Sequence, residues 1–413
     1  MSMRTSRTAT LATAVAMAAT LAAGVAPSAA ADTTAGPTPV LLPTPDGTYQ
    51  SEPTGVNAGG IVVGDVTLGD PSTGQALTRH AVRWDADLTD TLLDPLPGDS
   101  EDRAIGVDGA GTAVGTSWAT GSGAPVHAVR WAPDGTATAL APLPGDRNAT
   151  PTAVSRTGTV VGYTGSAQGP DHAVSWAPDG TATSLLPLPG DSGSRALGVN
   201  GSGTAVGYSY RPGADGSTES RAVIWGPDGS AVALPGTEPY PSTQAALISD
   251  TGAVFGTAGD ARTGTVYTSL TWNTDGSVSD FSGKEPKAVN STGTAVGRWS
   301  LYLAPQGVAV RWRPNGSGEA LSPVGGPPAP NSVATAINDG GTVVGYFWGQ
   351  PDAGEYRYAT RWNPDRTSTQ LPRPQNVTNT AALFISNNGL VAGVAIGRDQ
   401  AGGPRHTAMV WKP

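Results

Sequence analysis

The chain has no cysteine, and only 14% of its 413 residues carry charge. The missing thiols exclude a disulfide framework, a thiolate metal site and a thiol nucleophile. Four His leave little imidazole for catalysis or metal binding. Basic residues are the minority, 24 Lys and Arg against 33 Asp and Glu. The net charge of −9 argues against nucleic-acid and anionic-membrane partners. With 38% hydrophobic residues, the chain is nonetheless too apolar for a solvated disordered polymer. What is abundant is turn chemistry: 57 Gly and 36 Pro, close to a quarter of the chain, against about 12% in average usage. That excludes a helical bundle and leaves a turn-rich, all-β protein.

Residues 1–31 read as a secretory signal peptide. Arg4 and Arg7 form a basic start, Ala9 to Ala26 is an uncharged Ala-rich run, and Ala29-Ala30-Ala31 supplies an A-x-A cleavage pattern. Ala and Thr dominate the run, so its transfer energy is too weak for a stable membrane anchor. The expected mature chain is exported, soluble and monomeric, with 22 basic and 33 acidic residues.

Residues 32–413 read as one β-propeller domain of eight repeats. The segment Gly198-Val199-Asn200-Gly201-Ser202-Gly203-Thr204-Ala205-Val206-Gly207 has counterparts along the whole mature chain. Its closing glycine recurs at Gly64, Gly115, Gly162, Gly207, Gly256, Gly297, Gly345 and Gly393, a mean spacing of about 47. A tryptophan follows each, at Trp84, Trp131, Trp176, Trp225, Trp272, Trp312, Trp362 and Trp411. Within one unit, Ala196–Asn200, Thr204–Tyr208, Arg221–Trp225 and Ser230–Leu234 read as four short strands. Tight turns such as Gly226-Pro227-Asp228-Gly229 alternate with longer loops between them. A lone sheet of this size cannot bury its faces, so neighbours must stack as propeller blades. After Trp411 only two residues remain, whereas Val40-Leu41-Leu42-Pro43 precedes the first unit and matches later fourth strands. The N-terminal segment is therefore expected to complete the last blade and close an eight-bladed ring. Seven blades with a decayed unit is the lesser alternative. An open superhelix would need polar capping repeats, and none is visible.

His80-Ala81-Val82-Arg83-Trp84, His127-Ala128-Val129-Arg130-Trp131 and His172-Ala173-Val174-Ser175-Trp176 follow an Asn/Asp/Ser-x-x-Gly turn and a Val-Gly. In this they resemble the bacterial extracellular repeats of the HAF family. Val stands where the family has Phe, and later units replace the His with Arg221, Thr268, Val308, Tyr358 and Thr407. The resemblance covers nearly all of the mature chain and implies a secreted repeat protein. It brings no activity, catalytic residue or cofactor.

The recurring residues have structural readings. Alternation puts His80, Val82 and Trp84 on one strand face, so the phased tryptophans should form the core by packing on Gly and Ala of the next blade. The phased histidines fit hydrogen bonds at strand entry better than metal ligation. Asn57, Asp108, Ser155, Asn200, Ser249, Asn290, Asn338 and Ser386 should set turns and ring one channel mouth. Asp99, Asp146 and Asp191 read as loop-capping acids, since no stretch has the dense acids of a calcium loop. Glu101, Asp102 and Arg103 read as a solvated charged loop. No nucleophile elbow, phosphate loop or His-Glu-x-x-His occurs, so no catalytic residue, metal or cofactor is expected.

The aromatics outside the repeat mark the candidate site: Trp118, Tyr210, Trp299, Tyr302, Trp348 and Tyr356, with Phe347, on loops between second and third strands. These loops vary while the strands stay constant, as binding loops do. The expected function is a secreted, non-catalytic binding propeller that engages a glycan or another extracellular protein. The alternative is a glycosidase or lyase using carboxylates from different blades.

Overall fold

Every blade rests on a glycine that backbone crowding demands. In a computed structural model of the protein, the second strand of each blade runs beside a first strand whose register slips by one residue, between Pro53 and Gly55 in blade 1 and Ala196 and Gly198 in blade 4. The bulge pushes a first-strand carbonyl toward the glycine that closes each repeat motif. A Cβ on any of these eight glycines would lie 1.9–2.1 Å from that oxygen. No side chain fits there, which is why Gly64 and its seven equivalents recur.

The structure describes residues 36–70, 77–121, 123–166, 168–213, 217–236, 240–260, 265–280, 283–300, 307–314, 316–322, 331–349, 356–398 and 404–413. The signal-peptide assignment at 1–31 and Tyr302 lie outside them. The blades span residues 48–92, 101–140, 148–184, 193–233, 242–280, 284–320, 332–370 and 379–412, each an antiparallel meander of short strands. Blade 4 shows the pattern: Gly193–Val199, Ala205–Pro212, Thr218–Trp225 and Ala231–Ala233, in that spatial order. A single parallel bridge, Ser220 to Ser242, links blades 4 and 5. The eighth blade receives its outer strand from the N-terminal side, where Thr38–Leu41 pairs antiparallel with Pro404–Lys412.

The ring closes by packing rather than by a continuous sheet. Eight hydrophobic clusters fill eight blade interfaces, and one of them joins blade 8 to blade 1 through Leu42, Val62, Trp84, Leu390 and Val410. Each phased tryptophan is buried in such a cluster. The partner corrects the expectation: the ring packs on the preceding blade, as Trp225 does on Val161, Ala173 and Leu185.

Its indole N–H donates to a carbonyl where the preceding blade ends. Trp176 reaches Ala141 at 2.8 Å, Trp225 reaches Leu186 at 2.7 Å, and Trp84 reaches Pro43 beside the N-terminal strand at 2.6 Å. In the opposite direction, a small polar side chain from each next blade usually caps a third-strand N–H. Ser194 accepts from Ala173, Thr243 from Ala222, Ser332 from Ala309 and Ser51 from Ala408. Large apolar burial is thereby paired with satisfied buried polar groups.

Candidate functional site

Tight turns after the first strands gather on one face of the ring, and the variable second-to-third-strand connections gather on the other. On the turn face, the polar ring expected from sequence acts mainly within the fold. Asn57 Oδ1 accepts from Ile61 N–H, and its amide donates to the Asp108 carbonyl of the next blade. Asn200 and Asn338 likewise reach the Ser249 and Ser386 carbonyls. A 410 Å³ cavity lies at this mouth, above an aliphatic rim that includes Val56, Val107, Val199 and Ile337. Arg156 spans it to Asp250, 3.1 Å away, while Asp250 also accepts from Gly201 N–H at 2.7 Å. Burial opposes the ionisation of Asp339. Hydrogen bonds from Ser291 and Asn387 and the Arg156 charge outweigh it and hold the carboxyl below its ordinary value. This face pairs its own charges.

On the variable face of blades 2 to 4, a three-residue arrangement repeats. Asp99 Oδ2 accepts from Ser117 Oγ at 2.7 Å and contacts His127 Nδ1 at 2.8 Å; Asp146 does the same with Thr164 and His172. Asp191 uses Ser209 and Arg221. The residue types are those of a hydrolase triad, but the acid sits in the middle. The hydroxyl is spent on the carboxylate and has no base, so the set clamps a loop and activates nothing.

The Glu101–Arg103 segment is not the solvated loop expected from sequence. It opens the first strand of blade 2, Glu101–Val107, and Asp102 is 0% exposed. Asp102 Oδ1 accepts from Ala81 N–H at 3.0 Å, the position that Ser or Thr fills in blades 1, 4, 5, 7 and 8. Its Oδ2 is buried without a hydrogen-bond partner, and burial pushes the carboxyl up to about 8. Across the same interface, Asp65 accepts from Ala104 N–H and is raised by burial to about 6. The sequence shows the acids but not their burial, because a strand start and a loop look alike at a Pro-Gly-Asp boundary.

The six nominated aromatics separate. Trp118 ends a strand in blade 2, half-buried. Tyr210 is a structural clamp: its hydroxyl accepts from Asp171 N–H at 2.8 Å, and its ring covers Gly193 so closely that a Cβ there would meet it at 2.4 Å. Tyr356 begins the strand Tyr356–Trp362. Trp299 is 42% exposed on blade 6, and Trp348 lies half-buried on blade 7.

Trp348 belongs to a larger arrangement that involves arginines. The Arg298 guanidinium lies 5.6 Å from the Trp348 ring centre, Trp348 is 5.9 Å from Tyr346, and Arg357 lies 5.6 Å from Tyr346. Arg373 similarly covers Tyr358 at 5.1 Å, next to Phe347. Gly307 makes this possible at one end, since a Cβ there would sit 2.0 Å from Arg298 Nε.

Arg298 also lines a 550 Å³ cleft at the junction of blades 5 and 6, together with Lys284, Lys287, Leu247 and Val266. The cleft coincides with a break in the repeat. Phe255 replaces the Val or Ala of the other seven blades, and Lys284 takes the position that Ser or Thr holds in five blades. Trp299 borders the cleft through Gly283. At the other end, Arg357 lines a 440 Å³ cavity with Asn379, Arg398 and His406. No Asp or Glu lines that cavity among the described residues.

Charge follows the same division. Residues 283–413 carry 12 Lys and Arg against 7 Asp and Glu, whereas residues 32–282 carry 10 against 26. Sequence reasoning missed the arginines, although a charge count taken repeat by repeat would have found them.

No family model matches the chain, and no curated protein matches it. Among solved structures, it is similar to virginiamycin B lyase from Staphylococcus aureus at 11% identity and a TM-score of 0.40, covering 91% of this chain and 99% of that one. TolB from Acinetobacter baumannii gives 14%, 0.35, 73% and 77% in the same order. An acylaminoacyl peptidase from Pyrococcus horikoshii gives 12%, 0.47, 86% and 58%, so the chain spans just over half of that enzyme. Likeness at this level transfers neither activity nor ligand. The propeller rests on its own eight blades.

Proposed function

We propose that the protein is an exported, non-catalytic binding propeller that takes an extracellular glycan on the variable face of blades 5 to 8. One observation carries this reading: two rings in contact, Trp348 and Tyr346, are flanked by two guanidinium groups, Arg298 and Arg357. Aromatic rings offer flat apolar faces to the C–H faces of sugars, and neighbouring arginines supply donors to hydroxyl or carboxylate oxygens. On blades 2 to 4 the corresponding hydroxyl, acid and His or Arg groups satisfy one another.

The carboxylate-enzyme alternative is weaker. Asp102 and Asp65, the two carboxyls with raised proton affinity, are each tied to a backbone N–H across the interface of blades 1 and 2. Asp102 has no exposed surface from which to reach a glycosidic oxygen. The test is a panel of extracellular polysaccharides scored for both retention and product release. Retention without release is the expected result. Sugar release at a rate abolished by Asp65→Asn would replace this reading with the enzymatic one.

A further inference from the structure

The geometry points to an acidic, linear polysaccharide, one bearing a carboxylate at regular sugar intervals, as the ligand of blades 5 to 8. This inference rests on the binding reading above and gives it a chemical class. Two hollows lie here, the 550 Å³ cleft with Lys284, Arg298 and Lys287, the last paired with Glu285 at 3.6 Å, and the 440 Å³ cavity with Arg357 and Arg398. The chain Arg298–Trp348–Tyr346–Arg357 runs between them in steps of 5.6, 5.9 and 5.6 Å.

The order is cation, ring, ring, cation. A polymer whose sugars turn C–H faces to the rings and carboxylates to the guanidinium groups matches that order. A nucleic acid strand has the denser charge, and blades 1 to 4, with 22 acids against 9 bases over residues 32–241, would repel it. One of the cavity's two arginines is also held in place, the Arg357 guanidinium lying 5.6 Å from the Tyr346 ring centre. Such fixed donors lose little rotamer freedom when a carboxylate arrives.

The test uses polygalacturonate and the same polymer after carboxyl reduction to neutral galactan, titrated against the purified mature chain. Polygalacturonate should bind in a salt-dependent manner, and the reduced polymer should bind at least about tenfold more weakly. Arg298→Gln and Arg357→Gln should each weaken polygalacturonate binding by about tenfold. Trp348→Ala should weaken both polymers. Urea midpoints serve as the folding control.

Equal binding of the two polymers would overturn the acidic-ligand inference and leave the glycan reading standing. Binding of neither, nor of any glycan in the panel, would overturn both. Tighter binding of a single-stranded oligothymidylate that is weakened by the same two arginine substitutions would overturn the inference in favour of nucleic acid.

Discussion

Replacing Asp102 by serine should make the protein more stable at neutral pH and remove most of one pH dependence. The carboxyl sits where five other interfaces use a hydroxyl, from Ser51, Ser194, Thr243, Ser332 and Thr380. Ser194 in blade 4 accepts from Ala173 N–H at 3.1 Å and donates to the Leu185 carbonyl at 3.2 Å, so both its capacities are used. Asp102 accepts from Ala81 N–H with Oδ1, His80 Nδ1 lies 3.4 Å from the same oxygen, and Oδ2 has no hydrogen-bond partner. Burial raises the carboxyl to about 8, only the Ala81 hydrogen bond opposes this, and Asp65, Asp94 and Asp99 add to the rise.

The unfolded chain loses this proton near the ordinary value of 3.8, while the folded chain keeps it until about pH 8. Between those values the native state binds more protons, so stability falls as pH rises and levels off above the folded value. The limiting slope is about 1.4 kcal/mol per pH unit. Neighbouring groups and water entry reduce the total well below that slope multiplied by the whole window. A buried unsatisfied polar group costs about 1–3 kcal/mol, and that is the gain expected for Asp102→Ser near pH 7.5. The gain should shrink as pH falls toward the unfolded value of 3.8 and level off below it, where both states are protonated. Urea midpoints for both proteins at pH 4.5, 6, 7 and 8 measure it. A gain that is flat across this range, or a loss at pH 8, would refute the argument that a half-satisfied carboxyl limits this interface.

Other substitutions separate scaffold from site. Trp176→Ala removes a buried ring and its bond to Ala141, and should cost about 3–5 kcal/mol in urea unfolding. Trp348→Ala, half-buried and in contact with Arg298 and Tyr346, should cost about 1 kcal/mol while weakening ligand retention. Equal destabilisation by both would count against the site. Gly207→Ala forces a Cβ to 2.0 Å from the Arg195 carbonyl, so a loss of about 1–3 kcal/mol or more should appear in the same assay. Deleting residues 32–45 strips the outer strand from blade 8 and removes both Leu42 and the Pro43 carbonyl that Trp84 uses. Thermal melts should become less cooperative, with aggregation; an unchanged melt would mean the N-terminal strand does not close the ring.

The architecture was legible because repetition multiplies a weak signal. One Gly-x-x-x-Gly says little, but eight in phase with eight tryptophans fix blade number, strand order and the closing role of Val40–Leu42. What the spacing could not reveal was why the glycine is obligatory. The bulge that drives the first-strand carbonyl into it appears only when two strands are laid side by side. The direction of tryptophan packing was hidden for a related reason: alternation assigns a face to Trp225 but not the blade which that face meets. The nominated aromatics divided because exposure depends on neighbours far along the chain. Tyr210 is anchored to Asp171, and Trp348 is stacked on Arg298, fifty residues before it.

The arginines were missed because charge was taken over the whole chain. A net charge of −9 describes solubility and long-range repulsion, yet salt screens charges within about 8–10 Å. A ligand on blades 5 to 8 therefore meets Arg298, Arg357 and the cavity around Arg398 long before it is affected by Asp46 or Asp134. Over that distance the excess of 12 bases to 7 acids in blades 6 to 8, residues 283–413, outweighs the 22 acids and 9 bases of blades 1 to 4, residues 32–241. An overall acidic chain excludes anionic partners only if its acids are evenly spread. Here the repeat that makes every blade alike in its backbone leaves each blade free to differ in the charge at its rim, so each blade must be read for charge separately.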